Sequence, residues 1–234
     1  MKAPSFTRRH ALRCLAAGGC GLLAAPAWAA SVCTTGRRQS PVDITNPQPG
    51  PARPLVCQYH PTPLRLGHDG HTIRLRLGGV DNHAWLGRER LNLQQAHFHL
   101  PGGDTLRGES FPMAMHWPHH SPSGQLVTLV TWFRLGQAHP GLAPLWPHLC
   151  GPDVAEHDVP GVRVQPLDWL PAERSYFAYD GSLTSEPCTE GVRWVVLQQP
   201  QELSTAQLAR LRQLIAPNAR AVQPLNGRVI RAHA

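Results

Sequence analysis

Lysine is almost missing from this chain of 234 residues, since Lys2 is the only one, and we attribute the shortage to coding bias. No run of Lys and Arg is interleaved with aromatic residues, so we expect no nucleic-acid partner. The pattern C-x-x-C is also missing, which argues against a metal site built from thiolates. Internal repeats and low-complexity linkers are lacking too, and this predicts a single mature domain.

Long apolar runs are confined to the N-terminus, where Leu12 to Ala25 is too short to span a membrane. This run follows the paired Arg8-Arg9 and ends at Ala27-Trp28-Ala29, a small-residue cleavage pattern. We therefore predict that residues 1–30 are a twin-arginine-like export signal, with an ordinary secretory signal as the alternative. The mature domain, residues 31–234, would then be periplasmic or secreted.

Loss of the signal changes the charge and the cysteine count. It removes four of the 22 basic residues and no acid, which leaves 18 basic and 15 acidic residues and a net charge of +3. The cysteines that remain are Cys33, Cys57, Cys150 and Cys188. An even number in an exported chain favours disulfides, but four cysteines allow three connectivities and their spacing selects none.

Strand patterns dominate the mature chain. Thr72–Leu77 alternates between polar and apolar residues, as a half-buried strand does, whereas Leu126–Leu135 and Val192–Leu197 are apolar runs typical of buried strands. Only Ser204–Leu214 predicts a helix, which Ser204 would cap and whose apolar residues fall on one face. The expected fold is therefore β-dominated (α+β), a single domain with few short helices.

Three histidines stand out in this strand-rich pattern. His97 and His99 flank Phe98 and so share one face of a strand, and His116 follows seventeen residues after His99, a distance that suits an antiparallel return. Three neutral nitrogen ligands with an open fourth position describe a catalytic zinc site rather than a structural one. The alternative is a chance grouping in a chain with fourteen histidines.

Six segments, taken in order, resemble the α-class carbonic anhydrases: Gln39–Ile44, Asp69–Ile73, Gln95–His99, Phe111–His116, Gly181–Trp194 and Gln223–Arg228. The match covers nearly the whole mature chain. The resemblance implies a large twisted, mostly antiparallel sheet with Zn²⁺ bound by His97, His99 and His116 at the base of a cleft. It also implies reversible hydration of CO2 to bicarbonate and a proton, through attack by zinc-bound hydroxide.

The same resemblance assigns roles to other residues. His71 would carry the proton to solvent, Gln95 would fix the tautomer of His97, and Thr184 would orient the nucleophile. The residues expected to contact CO2 or bicarbonate are Leu183, Ser185, Trp194 and Thr128. Cys33 and Cys188 match positions that form a disulfide in bacterial and secreted members, which leaves Cys57 and Cys150 either paired or as free buried thiols.

Two departures from the family pattern concern carboxylates beside the metal. Gly103 stands where the family has a glutamate that orients Thr184, and loss of one such bond typically costs about 10²–10³ in rate. Asp104 could replace it only if the loop shifts, because one step along a strand turns the side chain to the opposite face. Ala114 replaces a glutamate that orients His116, a loss typically worth about 10–100-fold in metal affinity or activity.

Two smaller departures concern the pocket and the proton path. Pro118 and Thr128 replace valines that are common in the CO2 pocket. Asp69 replaces an asparagine beside His71, and we expect its charge to raise the pKa of that histidine. We therefore predict a zinc enzyme of reduced rate, with a catalytically impaired carbonic-anhydrase-like binding protein as the alternative. The expected partner is the small-molecule substrate, and a homodimer is the alternative to a monomer.

Overall fold

The computed structural model describes residues 31–79 and 81–234, in which β-strands predominate. The predicted export signal lies outside them. The strands are β1 Asp43–Ile44, β2 Gln48–Pro49, β3 Leu55–Gln58, β4 Thr62–His68, β5 Ile73–Arg76, β6 His83–Leu86, β7 Glu89–Leu93, β8 Gln95–His99, β9 Thr105–Leu106, β10 Glu109–Ser110, β11 Met113–His120, β12 Leu126–Leu135, β13 His157–Val164, β14 Tyr176–Ser182, β15 Glu190–Leu197, β16 Gln201–Leu203 and β17 Arg231–His233. The helices are α1 Val32–Thr35 and α2 Thr205–Leu214, with 3₁₀ turns at Pro140–Leu142, Trp146–His148 and Pro166–Trp169.

Most of these strands join one large mixed sheet with β8 and β11 near its centre. Its main path runs β13-β4-β5-β8-β11-β12-β15-β14-β17-β2, and a separate small sheet joins β1, β9 and β10. Most neighbours on the main path are antiparallel, but β12 pairs in parallel with β15, and β17 pairs in parallel with β2. Off that path, β16 also pairs in parallel with β12. The predicted fold class is confirmed, with these parallel pairs as its mixed component.

The two faces of β11 contribute to different apolar clusters. Met115 and Trp117 belong to the larger core, which also takes in the buried leucines of α2. Ala114 belongs to a smaller cluster with Val130 and Trp132 of the neighbouring β12. Because side chains alternate along a strand, His116 projects on the side of the smaller cluster. The metal-site histidines therefore lie on the sheet face opposite the main core.

The individual secondary-structure predictions agree with the structure. The apolar run Leu126–Leu135 is β12, and the alternating segment Thr72–Leu77 contains β5. The predicted helix begins after Ser204, whose Oγ accepts from the Gln207 backbone N–H at 3.2 Å. The Gln207 Oε1 accepts in return from the Ser204 N–H at 3.1 Å. This reciprocal capping supplies partners for N–H groups that a helix start leaves free.

The predicted disulfide joins Cys33 to Cys188 across 155 residues of sequence. It fastens the segment before β1 to the loop between β14 and β15. Cys57 and Cys150 are not bridged, so the structure favours free thiols over a second disulfide. Burial raises the pKa of both thiols, which keeps them protonated and less reactive near neutral pH.

Candidate metal centre

Two antiparallel strands bring the three predicted histidines together. His97 and His99 lie on β8, and His116 lies on β11 directly opposite His97. All three imidazoles therefore project from one face of the sheet. Their potential ligand nitrogens lie within 4.8 Å of one another. Strand alternation and the antiparallel pairing of β8 with β11 explain the cluster, although β9 and β10 lie between the two strands in the chain.

The spacing and protonation of these imidazoles fit a zinc ion. The Nε2 atoms of His97 and His99 are 3.1 Å apart, near the roughly 3.3 Å expected for two nitrogens bound tetrahedrally at about 2.0–2.1 Å. Burial and the neighbouring imidazoles hold the pKa values of His97 and His116 well below the usual range. Burial also lowers the pKa of His99 to about 4. The three rings are thus neutral at pH 7, the state in which histidine binds a metal.

Two residues orient the histidines of β8. The Nδ1 of His97 lies 3.2 Å from Oε1 of Gln95, as predicted, so an N–H at Nδ1 can donate to the amide and leave Nε2 free for a metal. The backbone of Asn218, near His99, partly opposes the burial that lowers the pKa of that histidine. The Asn218 side chain also donates to the carbonyls of Phe98 and His71, at 3.0 and 3.2 Å. Asn218 therefore ties the end of β8 to the segment that carries His71.

His116 has no such partner on its outer nitrogen. Its Nε2 is buried and has no hydrogen bond with any described residue, and the same is true of Nε1 of Trp132. Ala114, which is fully buried, lies directly opposite Trp132 on the same sheet face. Ala114 supplies no carboxylate, as the sequence predicts, and the buried nitrogens of His116 and Trp132 have no acceptor among the described residues. Neither a carbonyl nor another side chain of the described chain takes its place.

Apolar side chains form the wall next to His116. The Trp194 ring meets the His116 ring at a centroid distance of 5.0 Å and a nearly perpendicular angle. Thr128 is buried directly opposite Trp194 in the pairing of β12 with β15. Leu183 is partly buried against the same cluster. The structure thus brings three of the residues expected to contact CO2 to one side of the histidines.

The segment that carries Thr184 and Ser185 is fastened from several directions. The disulfide holds Cys188, whose carbonyl accepts from the Gln39 side-chain amide at 3.1 Å. The Arg220 guanidinium donates to Gln39 Oε1 at 2.8 Å and to the Cys33 carbonyl at 2.7 Å. Thr184 is half-buried and Ser185 is exposed. Their side chains make no hydrogen bonds with other described residues, so their roles stay predictions.

The loop at Gly103 has a backbone conformation that favours glycine, with a left-handed φ of +77°. Asp104 does not turn to replace the lost glutamate. Its Oδ1 accepts from the Val42 N–H and from the Tyr179 hydroxyl, both at 2.7 Å. Asp104 therefore fastens β14 to the segment that enters β1. It does not take the place of the missing glutamate beside Thr184.

Asp104 is also an unusual carboxyl. It is fully buried, and its Oδ2 has no hydrogen bond within the described chain. Burial raises its pKa to about 6, against the opposing effect of the bonds from Val42 and Tyr179. The carboxyl is consequently neutral in mildly acidic solution.

His71 lies at the exposed side of the site, just before β5. A positive charge on it lowers the pKa of His99, so the two imidazoles are within Coulomb range. Asp69 accepts from the His71 backbone N–H at 3.0 Å, but its other oxygen pairs with Arg74 at 2.6 Å. The expected effect of Asp69 on the pKa of His71 stays a prediction. The negative charge of Asp69 has Arg74 as its nearer partner.

Comparisons with known proteins agree with this geometry. Residues 24–234 match the family model "Eukaryotic-type carbonic anhydrase". A carbonic anhydrase of Pectobacterium carotovorum is 35% identical over 202 residues, which cover 86% of this chain and 82% of that protein. The chain belongs to this carbonic anhydrase family.

Solved structures give the same result. An α-carbonic anhydrase of Photobacterium profundum has a TM-score of 0.80 and 34% identity, over 86% of this chain and 91% of that one. The α-carbonic anhydrase of Thermovibrio ammonificans, in complex with the inhibitor sulfanilamide, also has a TM-score of 0.80, with 33% identity over 86% and 89% of the two chains. No helix within residues 31–79 or 81–234 has the length and apolarity that a membrane crossing requires.

Two residues at the site were missed from sequence. Asn218 follows α2 in a Pro-Asn loop, and an asparagine in a loop is too common to signal a site. Arg74 was read only as the polar half of an alternating strand. In the structure it lies directly opposite His97 on the neighbouring strand. Finding it required the register of two strands separated by a hairpin, which no local pattern determines.

Proposed function

We propose that this chain is a zinc-dependent carbonic anhydrase, which reversibly hydrates CO2 to bicarbonate and a proton. The observation that carries the proposal is the convergence of three neutral imidazoles, those of His97, His99 and His116, beside an apolar wall. When bound there, zinc lowers the pKa of a coordinated water from about 15.7 to about 7 and so supplies the nucleophile at neutral pH.

The residues around the metal divide the remaining work. Trp194, Leu183 and Thr128 hold CO2 against the apolar wall and exclude water from it. The Thr184 hydroxyl orients the nucleophile, and Ser185 contacts bicarbonate or water. The exposed imidazole of His71 accepts the proton and releases it to solvent, because histidine as a residue type exchanges protons near neutral pH.

Two features support a rate below that of typical members. Gly103 offers no carboxylate to the Thr184 hydroxyl, and the neighbouring Asp104 is committed to Val42 and Tyr179. The His116 Nε2 lacks an acceptor, which weakens the hold on its ring. The missing carboxylate at Gly103 lowers the rate of the reaction, and the missing acceptor for His116 weakens metal binding.

The same two features favour a second candidate, a carbonic-anhydrase-like protein that binds a ligand in its cleft without efficient turnover. Zinc content per chain and stopped-flow CO2 hydration, measured with and without an aromatic sulfonamide, separate the two. Stoichiometric zinc with sulfonamide-sensitive hydration supports the enzyme. Stoichiometric zinc without any such hydration favours the binding protein, and absence of zinc contradicts both the metal centre and the enzyme.

Export to the periplasm or the medium completes the proposal. The N-terminal pattern of residues 1–30 supports it, and so does the Cys33–Cys188 disulfide, because disulfides persist mainly in oxidising compartments. Mass spectrometry of the exported protein would give the cleavage site, and replacing Arg8-Arg9 by two lysines should block export if the twin-arginine route is used. Light scattering on the purified protein would distinguish a homodimer from a monomer.

A further inference from the structure

Two arginines lie on the strand that pairs with β8, opposite residues of the metal centre. On β5, Arg74 pairs directly with His97, and Arg76 pairs with Gln95. Directly paired residues of neighbouring antiparallel strands share a face, with their Cβ atoms about 5 Å apart. Both arginine side chains are more than half exposed. Arg74 therefore starts from the strand position nearest a metal ligand and reaches into open solvent.

The acids facing these arginines are unevenly distributed. Arg76 shares Glu156 with Arg65, and Arg65 also lies 3.8 Å from Asp158. Arg74 has a single acidic partner, Asp69, at 2.6 Å. Asp69 also accepts the backbone N–H groups of His71 and Thr72. Its charge is thus divided between Arg74 and the turn that carries His71.

The Arg74 charge reaches the metal centre. The strand position of Arg74 lies directly opposite His97 in the pairing of β5 with β8. On the other side of the histidines, the wall of Trp194, Leu183 and Val130 carries no charge that could oppose it. A small anion at the open position of the metal would therefore experience the field of one nearby guanidinium.

We propose that Arg74 attracts small monovalent anions to the metal centre and strengthens their binding there, bicarbonate included. The inference rests on the proposed function and deepens it, because bicarbonate is the product of hydration. Asp69, which pairs with the same guanidinium, would weaken the effect of Arg74. Arg74 would thus favour bicarbonate capture in the dehydration direction and slow its release during hydration.

Anion binding by the cobalt-loaded protein tests this without using turnover. Tris-histidine sites accept Co²⁺, whose visible spectrum changes when an anion enters its coordination sphere. Potassium thiocyanate and sodium bicarbonate are titrated into the wild type and the variants Arg74→Gln, Arg74→Lys and Arg76→Gln. Arg76→Gln is the matched control, because it removes an equally exposed arginine from the same face of the same strand, one pleat further from His97.

We expect Arg74→Gln to weaken the binding of both anions about fivefold, the size expected for one charge roughly 8 Å away at an effective dielectric constant of about 40, between the values for bulk water and a protein surface. Arg74→Lys should restore the affinity to within about twofold, and Arg76→Gln should change it by less than that. Asp69→Asn should tighten binding, because it frees the guanidinium. Adding 0.5 M sodium sulfate should shrink the difference between wild type and Arg74→Gln, since salt screens the field.

The outcomes separate this inference from the proposed function. Equal anion affinities in wild type and Arg74→Gln, both loaded with cobalt, would overturn the role of Arg74 and leave the metal centre intact. Equal losses in Arg74→Gln and Arg76→Gln would overturn it as well, because the effect would then come from net charge alone. A wild type that takes up no cobalt would overturn both.

Discussion

At the residue scale, Gly103 has two features that bear on the site, one in its side chain and one in its backbone. Its side chain lacks the carboxylate, and its φ of +77° is one that other residues adopt at a cost of about 1 kcal/mol. A Cβ there would meet Pro41 atoms at 3.7 and 3.9 Å, which are ordinary contact distances, so the space accepts a Cβ.

Gly103→Glu should raise kcat/KM for CO2 hydration about tenfold or more, because an acceptor for the Thr184 hydroxyl is restored. Gly103→Ala is the control, since it has the same backbone cost and no carboxylate. Both variants should lose about 1 kcal/mol of unfolding free energy in urea. Equal rates in the two variants would show that the carboxylate does not reach Thr184.

Ala114 presents the second missing carboxylate, here on a regular strand. Ala114→Glu places an acceptor near Nε2 of His116, and we expect it to tighten zinc about tenfold in competition with a chelator. Ala114→Met adds a side chain of similar length without an acceptor. If Met tightens zinc as much as Glu does, packing rather than the hydrogen bond explains the gain.

Asp104 makes stability depend on pH. Its pKa is about 6 in the fold and near 3.8 when unfolded, so the folded state holds the proton more tightly. This contribution is fully present below pH 3.8 and is lost as the pH rises through 6, a change of about 3 kcal/mol at most. Asp104→Asn keeps an oxygen acceptor for Val42 and Tyr179 but does not titrate. Urea unfolding between pH 4 and 7 should show a flatter profile for the variant, with its gain over the wild type growing toward pH 7. Parallel profiles would contradict the assignment.

At the element scale, local sequence patterns predicted the strands and the helix better than they predicted the contacts around the site. Alternation placed His97 and His99 on one face, and the apolar run Leu126–Leu135 gave β12 with its bounds. What local pattern could not supply was the pairing of distant segments. Arg74 meets His97 through the register of β5 with β8, and Asn218 reaches the site from a loop 120 residues beyond Phe98. Such contacts depend on tertiary packing, which leaves no periodic trace in either segment.

The disulfide is the element-scale feature with the clearest energetic consequence. It closes a loop of 155 residues and fixes the segment between β14 and β15 that carries Thr184. Replacing both Cys33 and Cys188 by alanine should lower the unfolding free energy by about 3–5 kcal/mol and reduce activity, because that segment loses its anchor. Cys57→Ala, which removes an unbridged thiol, is the control for cysteine loss itself. Reduction of the wild type should match the double variant, and failure to do so would contradict an anchoring role.

At the scale of the whole molecule, a metal bound by His97, His99 and His116 would join two central strands of a single sheet, so we expect its removal to destabilise the entire fold. A ligand that binds only the folded state at a thousand times its Kd stabilises it by about 4 kcal/mol. For a domain of this size, each 1 kcal/mol moves Tm by about 2–4 °C. Removing zinc with a chelator should therefore lower Tm by about 10 °C in calorimetry, and adding zinc back should restore it. His116→Ala should have a Tm as low as that of the zinc-free wild type, whether or not zinc is added, because β11 then supplies no ligand. A Tm that ignores the chelator in the wild type, or a zinc response that survives in His116→Ala, would place the metal outside the three histidines.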